Sequence, residues 1–362
     1  MNDSPLVYDL SPDDLAGILV EWGEPAYRAR QVLHALYREL VDEPSAMTSL
    51  PLKLRTRMEK HLRFRALVPR TSTESSDKNT RKVLFSMASG HSIEAVLMRY
   101  ARRYTACIST QAGCGMGCVF CATGQMGFQR NLTSGEIVAQ VLFFARALST
   151  EGQHLTNVVV MGMGEPFHNY EATMQAIDCL GDPEGFNFGA RRVTVSTVGL
   201  IPMIERFAAE LRQVNLAVSL HAATDELRDQ LLPVNRRYPL APLIEACGNY
   251  VRQTGRRVSF EWALIAGVND GADQAQALVK LVKGLTCHVN LIPLNPTSGF
   301  TGTATSQVQA NAFARILAEA GVTCTIRSRR GIEIDAGCGQ LAVKGDVRGR
   351  AAVTSGGETR PV

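Results

Sequence analysis

Residues 105–121 read TACISTQAGCGMGCVFC, a short β-branched run followed closely by three cysteines. The spacing is C-x3-C-x2-C, formed by Cys114, Cys118 and Cys121. Structural zinc sites usually close with four ligands, whereas three thiolates on a [4Fe–4S] cluster leave one iron open. The stretch therefore predicts a strand that ends at a cluster, with a Cys3His zinc site completed by His168 or His221 as the alternative.

Further strand candidates follow, separated by amphipathic segments. Thr133 and Glu136 have capping-box spacing and apolar residues follow them at helical intervals, which predicts a helix after the first strand. Strands that alternate with helices are typical of a parallel sheet in an α/β protein. Six such units are fewer than the eight of a closed barrel, so an incomplete barrel or an open sheet is expected. The candidates are TACIST (105–110), TNVVVM (156–161), RVTVST (192–197), NLAVSL (215–220), VSFEWAL (258–264) and VNLIPL (289–294), with TCTIRS (323–328) as a seventh.

The first hundred residues predict a small helical domain. Ser11 followed by Pro12 starts one helix, and two more helical stretches lie near 25–40 and 48–62. Residues 51–70 hold seven Lys or Arg against one acid, which indicates either a solvated helix face or a nucleic-acid contact. The predicted divisions are a helical accessory domain (1–65), a hairpin or linker region (66–100), a barrel domain with a C-terminal cysteine segment (101–343) and a flexible tail (344–362).

Composition excludes several classes of protein. Of 362 residues, 45% are hydrophobic and 20% are charged, which is typical of a globular chain and not of a disordered one. The net charge of +4 is too small to indicate nucleic-acid binding by itself. The acidic N-terminus does not resemble a signal peptide and no stretch approaches about 18 apolar residues, so we expect a cytoplasmic protein with no membrane partner. Nine cysteines in such a chain favour cluster, metal or redox chemistry over a disulfide framework.

Several motifs together carry a family resemblance. ACISTQAGCGMGCVFCATGQMGFQRNLTSGEI, MGMGEPFHNY, VSLHA, LNPTSG and DAGCGQL resemble the RlmN/Cfr family of radical S-adenosylmethionine (SAM) RNA adenine methyltransferases, and its RlmN branch more closely. The resemblance implies an incomplete (β/α)6 barrel with a small helical accessory domain. It also implies a [4Fe–4S] cluster on Cys114, Cys118 and Cys121, whose open iron binds SAM for cleavage to a 5′-deoxyadenosyl radical.

The resemblance assigns three catalytic residues. Cys338 matches the cysteine that is methylated by one SAM and carries the carbon, and Cys107 matches the cysteine that releases the product by forming a disulfide with it. Glu94 matches the proton acceptor. A second SAM supplies the radical, so two SAM molecules are used per turnover. The remaining cysteines are expected to be buried apolar side chains: Cys179, Cys247, Cys287 and Cys324.

The SAM contacts implied by the resemblance lie at the ends of predicted strands, where a parallel barrel places its functional groups. Gly164 and Glu165 match the turn over the methionine end of SAM. The positions around ribose and adenine are matched by Ser196, Ser219, Leu220, His221 and Asn295. In the STVG segment Val198 stands where relatives often have serine, which leaves Ser196 and Thr197 both open as the contact.

The implied substrates are 23S rRNA, at an adenine of the peptidyl-transferase region, and tRNA, at the adenine next to the anticodon. An external electron donor and a disulfide reductant are required, and a monomer is expected. Arginines precede both reactive cysteines and suit phosphate contact: Arg99, Arg102, Arg103, Arg327, Arg329 and Arg330. Three alternatives remain open: methylation at C8, a radical SAM enzyme for a small molecule or protein, and a zinc-containing RNA-binding protein.

Overall fold

The structure, a computed structural model, describes residues 4–343, so the tail predicted at 344–362 lies outside the described residues. No helix in this described part is long and apolar enough to cross a membrane. In chain order the elements are α1 (Pro12–Glu21), α2 (Tyr27–Tyr37), α3 (Leu52–His61), β1 (Leu67–Glu74), β2 (Thr80–Met87), β3 (Ser92–Tyr100), β4 (Arg103–Cys107), β5 (Gln111–Gly113), α4 (Ala122–Gln125), β6 (Phe128–Asn131), α5 (Ser134–Ser149), β7 (Asn157–Val160), α6 (Tyr170–Gly181), β8 (Val193–Thr197), α7 (Ile201–Ala209), β9 (Asn215–Ser219), α8 (Asp225–Leu231), α9 (Leu240–Thr254), β10 (Val258–Leu264), α10 (Ala272–Leu281), β11 (Cys287–Pro293), α11 (Gln307–Glu319) and β12 (Cys324–Ile326).

One sheet organises the molecule, with strand order β1-β2-β3-β4-β7-β8-β9-β10-β11-β12. From β4 to β12 every neighbouring pair is parallel, and helices connect successive strands. The edge strands β1 and β12 do not pair with each other, so the barrel is not closed. The predicted incomplete barrel is confirmed, and the carboxyl ends of its strands lie at one edge, where such folds place their sites.

The local predictions agree with the observed elements. Each predicted strand overlaps an observed one, and the ends differ by three residues at most. Thr133 caps α5 as its spacing predicts: its side chain accepts from Glu136 N at 3.2 Å, and the Glu136 carboxylate accepts from Thr133 N at 3.0 Å. Ser11 caps α1 in the same way, with Asp14 as its partner.

Residues 66–100 hold antiparallel strands, in agreement with the hairpin alternative, and these strands extend the barrel sheet. Strands β1, β2 and β3 pair antiparallel in turn, and β3 pairs antiparallel with β4. Val96 of β3 lies opposite Cys107 of β4, and Lys82 of β2 lies opposite Val96. This pairing brings Glu94, two residues from Val96 on the same face, to the edge of the barrel.

The three N-terminal helices pack into the same hydrophobic core as the barrel and are attached to α5. Leu15, Leu36 and Met58, from α1, α2 and α3, are fully buried. Ahead of α1, Asp9 accepts a hydrogen bond from Gly135 N at 2.7 Å. A carboxylate at this position binds the free N–H groups and the positive end of the helix dipole. The accessory helices are therefore fixed against the first barrel helix.

Candidate active site

The three cysteines of the predicted cluster share one loop beyond the carboxyl end of β4, between β5 and α4. Cys114 and Cys118 are buried, and Cys121 is half-buried at the start of α4. Cys114 N donates to Gly127 O at 3.0 Å and Cys121 N donates to Cys118 O at 3.1 Å. Gly113 has a φ of 70°, and a Cβ there would overlap the Gly127 carbonyl, so the turn into the loop requires glycine.

The thiols of this loop influence one another electrostatically. Burial raises the pKa of Cys114 to about 12 and that of Cys118 well above its usual range, and the neighbouring Cys121 raises both further. Three thiolates on a [4Fe–4S] cluster bind three different irons and leave the fourth iron open, whereas structural zinc sites usually close with four ligands. By the chemistry of its donors, a set of three cysteines fits such a cluster.

Both histidines considered as a fourth zinc ligand are engaged elsewhere. His221 Nδ1 accepts from Ala263 N at 2.8 Å, and its ring packs edge-on against Phe120 at 4.9 Å. Burial lowers the pKa of His221 to about 3, so the ring is neutral, with its proton on Nε2 as a donor. His168 Nδ1 lies 2.9 Å from Gln111 Nε2. These contacts argue against the Cys3His alternative.

The turn after β7 is stabilised by hydrogen bonds to the side chain of its own glutamate, Glu165. Glu165 is buried, and its carboxylate accepts from Phe167 N at 3.0 Å and from Val198 N at 2.9 Å. Burial raises the pKa of Glu165 to about 7, against the lowering effect of these bonds. Gly164, with a φ of 102°, packs so tightly on Gln111 that a Cβ has no room. The carboxylate thus joins the ends of β7 and β8, and Gly164 allows the close approach.

The strand register separates the two hydroxyls left open by the sequence. Ser196 pairs with Ala217 in the parallel ladder, and Ser219 lies two residues farther on the same face as Ala217. Thr197 points to the opposite face, where it is buried and bonds to Gly199 N at 3.1 Å. Ser196 and Ser219 therefore share one face, and Thr197 is used within the protein.

Arg228, a residue that the sequence did not single out, ties these strand ends together. It is fully buried on α8 and donates to Val198 O at 2.7 Å, Ser219 O at 3.2 Å and Leu220 O at 3.1 Å. Its remaining donors include a 2.8 Å bond to Asn235 Oδ1. Burial lowers the pKa of Arg228 to about 10, which leaves it charged at neutral pH. An arginine on a polar helix gives no sequence signal of this role.

Replacing Arg228 by methionine is expected to destabilise the protein by about 3 kcal/mol, because buried oxygens of Val198 and Asn235 lose their donor. Urea unfolding of Arg228→Met measures the change. The matched control is Arg252→Met, which removes an exposed arginine of α9. Equal stability of Arg228→Met and the wild type would contradict this role.

Asn295 lies two residues after the end of β11, and the oxygen of its side-chain amide has no hydrogen-bond partner in the described part of the chain. Its Nδ2 donates to Cys338 O at 3.0 Å. The oxygen, Oδ1, is buried. An orphaned buried acceptor is costly unless something binds it, so this oxygen fits a polar ligand such as the adenine amine of SAM.

The loop that carries Cys338 docks on the start of α4, the short helix that follows the cluster loop. Ala122 N donates to Gly339 O at 2.7 Å, and the Thr123 hydroxyl donates to Leu341 O at 2.5 Å. Both donors follow directly after the last cluster cysteine. The loop from the far end of the barrel is thereby fixed beside the cluster residues.

The two predicted reactive thiols lie within electrostatic reach of each other. Burial raises the pKa of Cys107, and Cys338 raises it further. Cys338 is accessible at the open side of the barrel, yet the protein atoms around its thiol raise its pKa to about 11. Glu261 adds to that rise and Arg327 opposes it. Both thiols need a base or a charged neighbour before they act as nucleophiles.

Two inward-facing polar residues near Cys338 were missed by the sequence analysis. Glu261 of β10 lies opposite Ser219 on one side and Asn290 on the other. Asn290 Nδ2 donates to the buried Glu261 carboxylate at 2.8 Å. A charged residue inside the apolar run VSFEWAL is the signal that could have identified it.

Glu94 of β3 is buried against the end of the Cys338 loop. It forms an ion pair with Lys82 at 2.9 Å and accepts from Ala342 N at 3.1 Å. Burial raises the pKa of Glu94, and these two partners lower it. The structure thus gathers the predicted catalytic residues from β3, β4 and the C-terminal loop.

Two of the arginines that precede the reactive cysteines in the sequence lie together at Tyr100. Arg103 and Arg330 both lie over the Tyr100 ring, 4.2 and 4.5 Å from its centroid. Arg103 opens β4 and Cys107 ends it, so they are about 13 Å apart along the strand. Arg103 and Arg330 therefore meet at the opposite end of β4 from the Cys107 thiol, whereas Arg327 lies close enough to Cys338 to lower its pKa.

Two sequence models match this chain. The Radical SAM superfamily matches residues 108–279, and the ribosomal RNA large subunit methyltransferase N-terminal domain matches residues 7–63. The first range includes the cluster loop and the ends of β7 to β10. Fold and site together define a radical SAM enzyme, which uses a [4Fe–4S] cluster and SAM.

Relatives match over nearly the whole chain. A probable dual-specificity RNA methyltransferase RlmN of Roseiflexus sp. (strain RS-1) is 46% identical, with 93% of this chain and 96% of that protein covered. Dual-specificity RNA methyltransferase RlmN 1 of Myxococcus xanthus (strain DK1622) is 48% identical, with 96% and 97% covered. A solved radical SAM methyltransferase from Sphaerobacter thermophilus has a TM-score of 0.91 and 52% identity, with 93% and 98% covered. The chain belongs to the RlmN family of radical SAM RNA methyltransferases, as its motifs predicted.

Proposed function

We propose that this enzyme transfers a carbon from the methyl group of SAM to C2 of an adenine in RNA, with Cys338 as the carrier. The observation that supports this most is that the Cys338 loop docks on α4 beside the cluster loop, which places the Cys338 thiol close enough to Cys107 to raise its pKa. Hydrogen abstraction from a small molecule or protein requires neither thiol. A pair of thiols beside a cluster loop fits a carrier and a resolving cysteine.

SAM is held at the carboxyl ends of the strands. Gly164 and Glu165 form the turn over its methionine end, and the residues for ribose and adenine are Ser196, Ser219, Leu220, His221 and Asn295. The donor His221 Nε2 and the unpartnered acceptor Asn295 Oδ1 support this assignment. Ser196 is chosen over Thr197 because Thr197 bonds within the protein.

The chain contributes a nucleophilic thiol, a proton acceptor and a second thiol. C2 of adenine is electrophilic and cannot displace the methyl group from a sulfonium, so the Cys338 thiolate takes it first. The [4Fe–4S] cluster, when bound, supplies the electron that cleaves a second SAM and starts the radical reaction. Glu94 accepts the ring proton from the protein–RNA adduct. Cys107 then attacks the Cys338 sulfur, so that a sulfur–sulfur bond forms and the carbon–sulfur bond breaks. The methylene carbon keeps the electron pair and takes up a proton to become the methyl group of the freed RNA, and an external reductant reopens the disulfide.

The proposed substrates are 23S rRNA and tRNA, whose target adenines must be unstacked to reach Cys338. The basic segment of the accessory domain supports an RNA contact there. Several of its arginines also stabilise the domain: Arg57 lies over the Trp22 ring, and Arg63 donates to Ser4 O. Exposed Lys53 and Lys60 of α3 supply further positive charge. We also propose an external electron donor and a monomeric enzyme in the cytoplasm.

The test is anaerobic reconstitution with iron and sulfide, followed by reaction with SAM, reductant and either a 23S rRNA fragment or tRNA. Nucleoside mass spectrometry against 2-methyl- and 8-methyladenosine standards identifies the product. We expect 2-methyladenosine from both RNAs. An 8-methyladenosine product would contradict the C2 assignment, and 5′-deoxyadenosine without methylated RNA would contradict the substrate.

A further inference from the structure

Lys82 forms the most buried ion pair in the part of the chain that the structure describes. Its Nζ lies 2.9 Å from Glu94 Oε1, and the side chains are only 13% and 7% exposed. In the sheet, Lys82 lies opposite Val96, and Val96 lies opposite Cys107. Lys82, Glu94 and Cys107 therefore share the face of the sheet on which the proposed reaction takes place.

The same ion pair holds both ends of the loop that carries Cys338. Lys82 Nζ donates to Asp335 O at 3.3 Å, three residues before the cysteine. Glu94 Oε2 accepts from Ala342 N at 3.1 Å, four residues after it. Between these points the loop docks on α4 and Asn295. A single charged pair on β2 and β3 thus fixes the loop on both sides of its reactive thiol.

We propose that Lys82 is a positioning residue, which orients Glu94 as proton acceptor and holds the Cys338 loop against the barrel. This inference rests on the proposed function, because it takes Glu94 as the acceptor. A lysine in this place does two things at once. Its ammonium group favours the ionised form of the buried carboxylate, and its bond to Asp335 O ties the pair to the segment that carries Cys338.

The charges around Glu94 determine how loss of Lys82 acts. The titratable groups that act on it are Lys82 of β2 and Asp335 of the C-terminal loop, and Cys107 lies on the neighbouring strand β4. Burial raises the pKa of Glu94, Lys82 lowers it and Asp335 raises it. Without Lys82 the pKa rises, so the carboxylate is protonated over a wider pH range and accepts a proton only at higher pH.

The test compares Lys82→Met, Lys82→Arg and Glu94→Gln in the reconstituted full-length enzyme. The matched control is Lys78→Met, an exposed lysine in the turn between β1 and β2. The first measurement is the rate of Cys338 alkylation by N-ethylmaleimide without SAM or RNA, resolved by peptide mass spectrometry. We expect a severalfold faster rate in Lys82→Met, because the loop is released, and near wild-type rates in Lys82→Arg and the control.

The second measurement is the pH profile of the covalent protein–RNA adduct. We expect Lys82→Met to accumulate adduct at neutral pH and to clear it as the pH rises, whereas Glu94→Gln accumulates it at every pH. A purely structural role for Lys82 would give no rescue by pH. Adduct in Glu94→Gln, together with wild-type alkylation and resolution in Lys82→Met, would overturn this inference alone. Absence of adduct in Glu94→Gln and of methylated RNA in the wild type would overturn the proposed function.

Discussion

Replacing Cys107 by serine is expected to stop the enzyme after one round of bond formation, with RNA covalently attached to Cys338. A serine hydroxyl cannot form a disulfide, so nothing displaces the carrier sulfur from the adduct. Release of methylated RNA should fall by about 10³-fold or more, the scale on which loss of an essential nucleophile acts. Denaturing gels with labelled RNA measure the adduct, and nucleoside mass spectrometry measures the released product.

Two further variants serve as controls for the Cys107→Ser experiment. Cys324→Ser changes a half-buried thiol of β12 outside the proposed site and should behave as the wild type. Cys338→Ala in the Cys107→Ser background should form no adduct, because the carrier is missing. If Cys107→Ser released methylated RNA at the wild-type rate, Cys107 would not be the resolving residue.

The second large effect is expected from Cys118→Ala, which removes a buried thiol of the cluster loop. The remaining two thiolates cannot hold the cluster, so iron and acid-labile sulfide should fall to background, and SAM cleavage with them. The fold should survive, since Cys118 packs only in a small apolar cluster and its truncation costs about 1 kcal/mol. Metal and sulfide analysis, with thermal unfolding on the same samples, separates cluster loss from unfolding.

Cys247→Ala is the matched control for that experiment. Cys247 is also a fully buried cysteine, but it lies on α9, away from the cluster loop. It should keep full iron and sulfide content. Full iron and sulfide in Cys118→Ala would mean that the three cysteines do not form the cluster site.

The barrel could be predicted because its signals are local. Runs such as VTVST and NLAVSL fold as short parallel strands, and the Thr133–Glu136 spacing caps α5. The SAM-site residues were implied by the family resemblance, and their positions at strand ends agree with the edge where a parallel barrel places its functional groups. The thiol roles came from the family resemblance, and spacing alone would have left Cys107 and Cys338 as core residues.

What the sequence did not predict depends on contacts between distant segments. Lys82 and Arg228 look like surface charges in alternating or helical patterns, and only the register of β2 on β3 and the packing of α8 bury them. The separation of Arg103 from Cys107 has a local cause. Arg103 is close to Cys107 in sequence, but an extended strand carries neighbours apart by about 3.3 Å per residue.

Because the Cys338 loop comes late in the sequence, it also determines the order in which the proposed site is completed during synthesis. A ribosome produces the accessory helices first, then β3 with Glu94, then the cluster loop and the remaining strands. Cys338 emerges after every other group of the proposed site, and its loop docks on α4, which is made long before. A nascent chain can therefore assemble the cluster pocket while it still lacks its carrier, so the thiol first becomes available in an almost finished barrel.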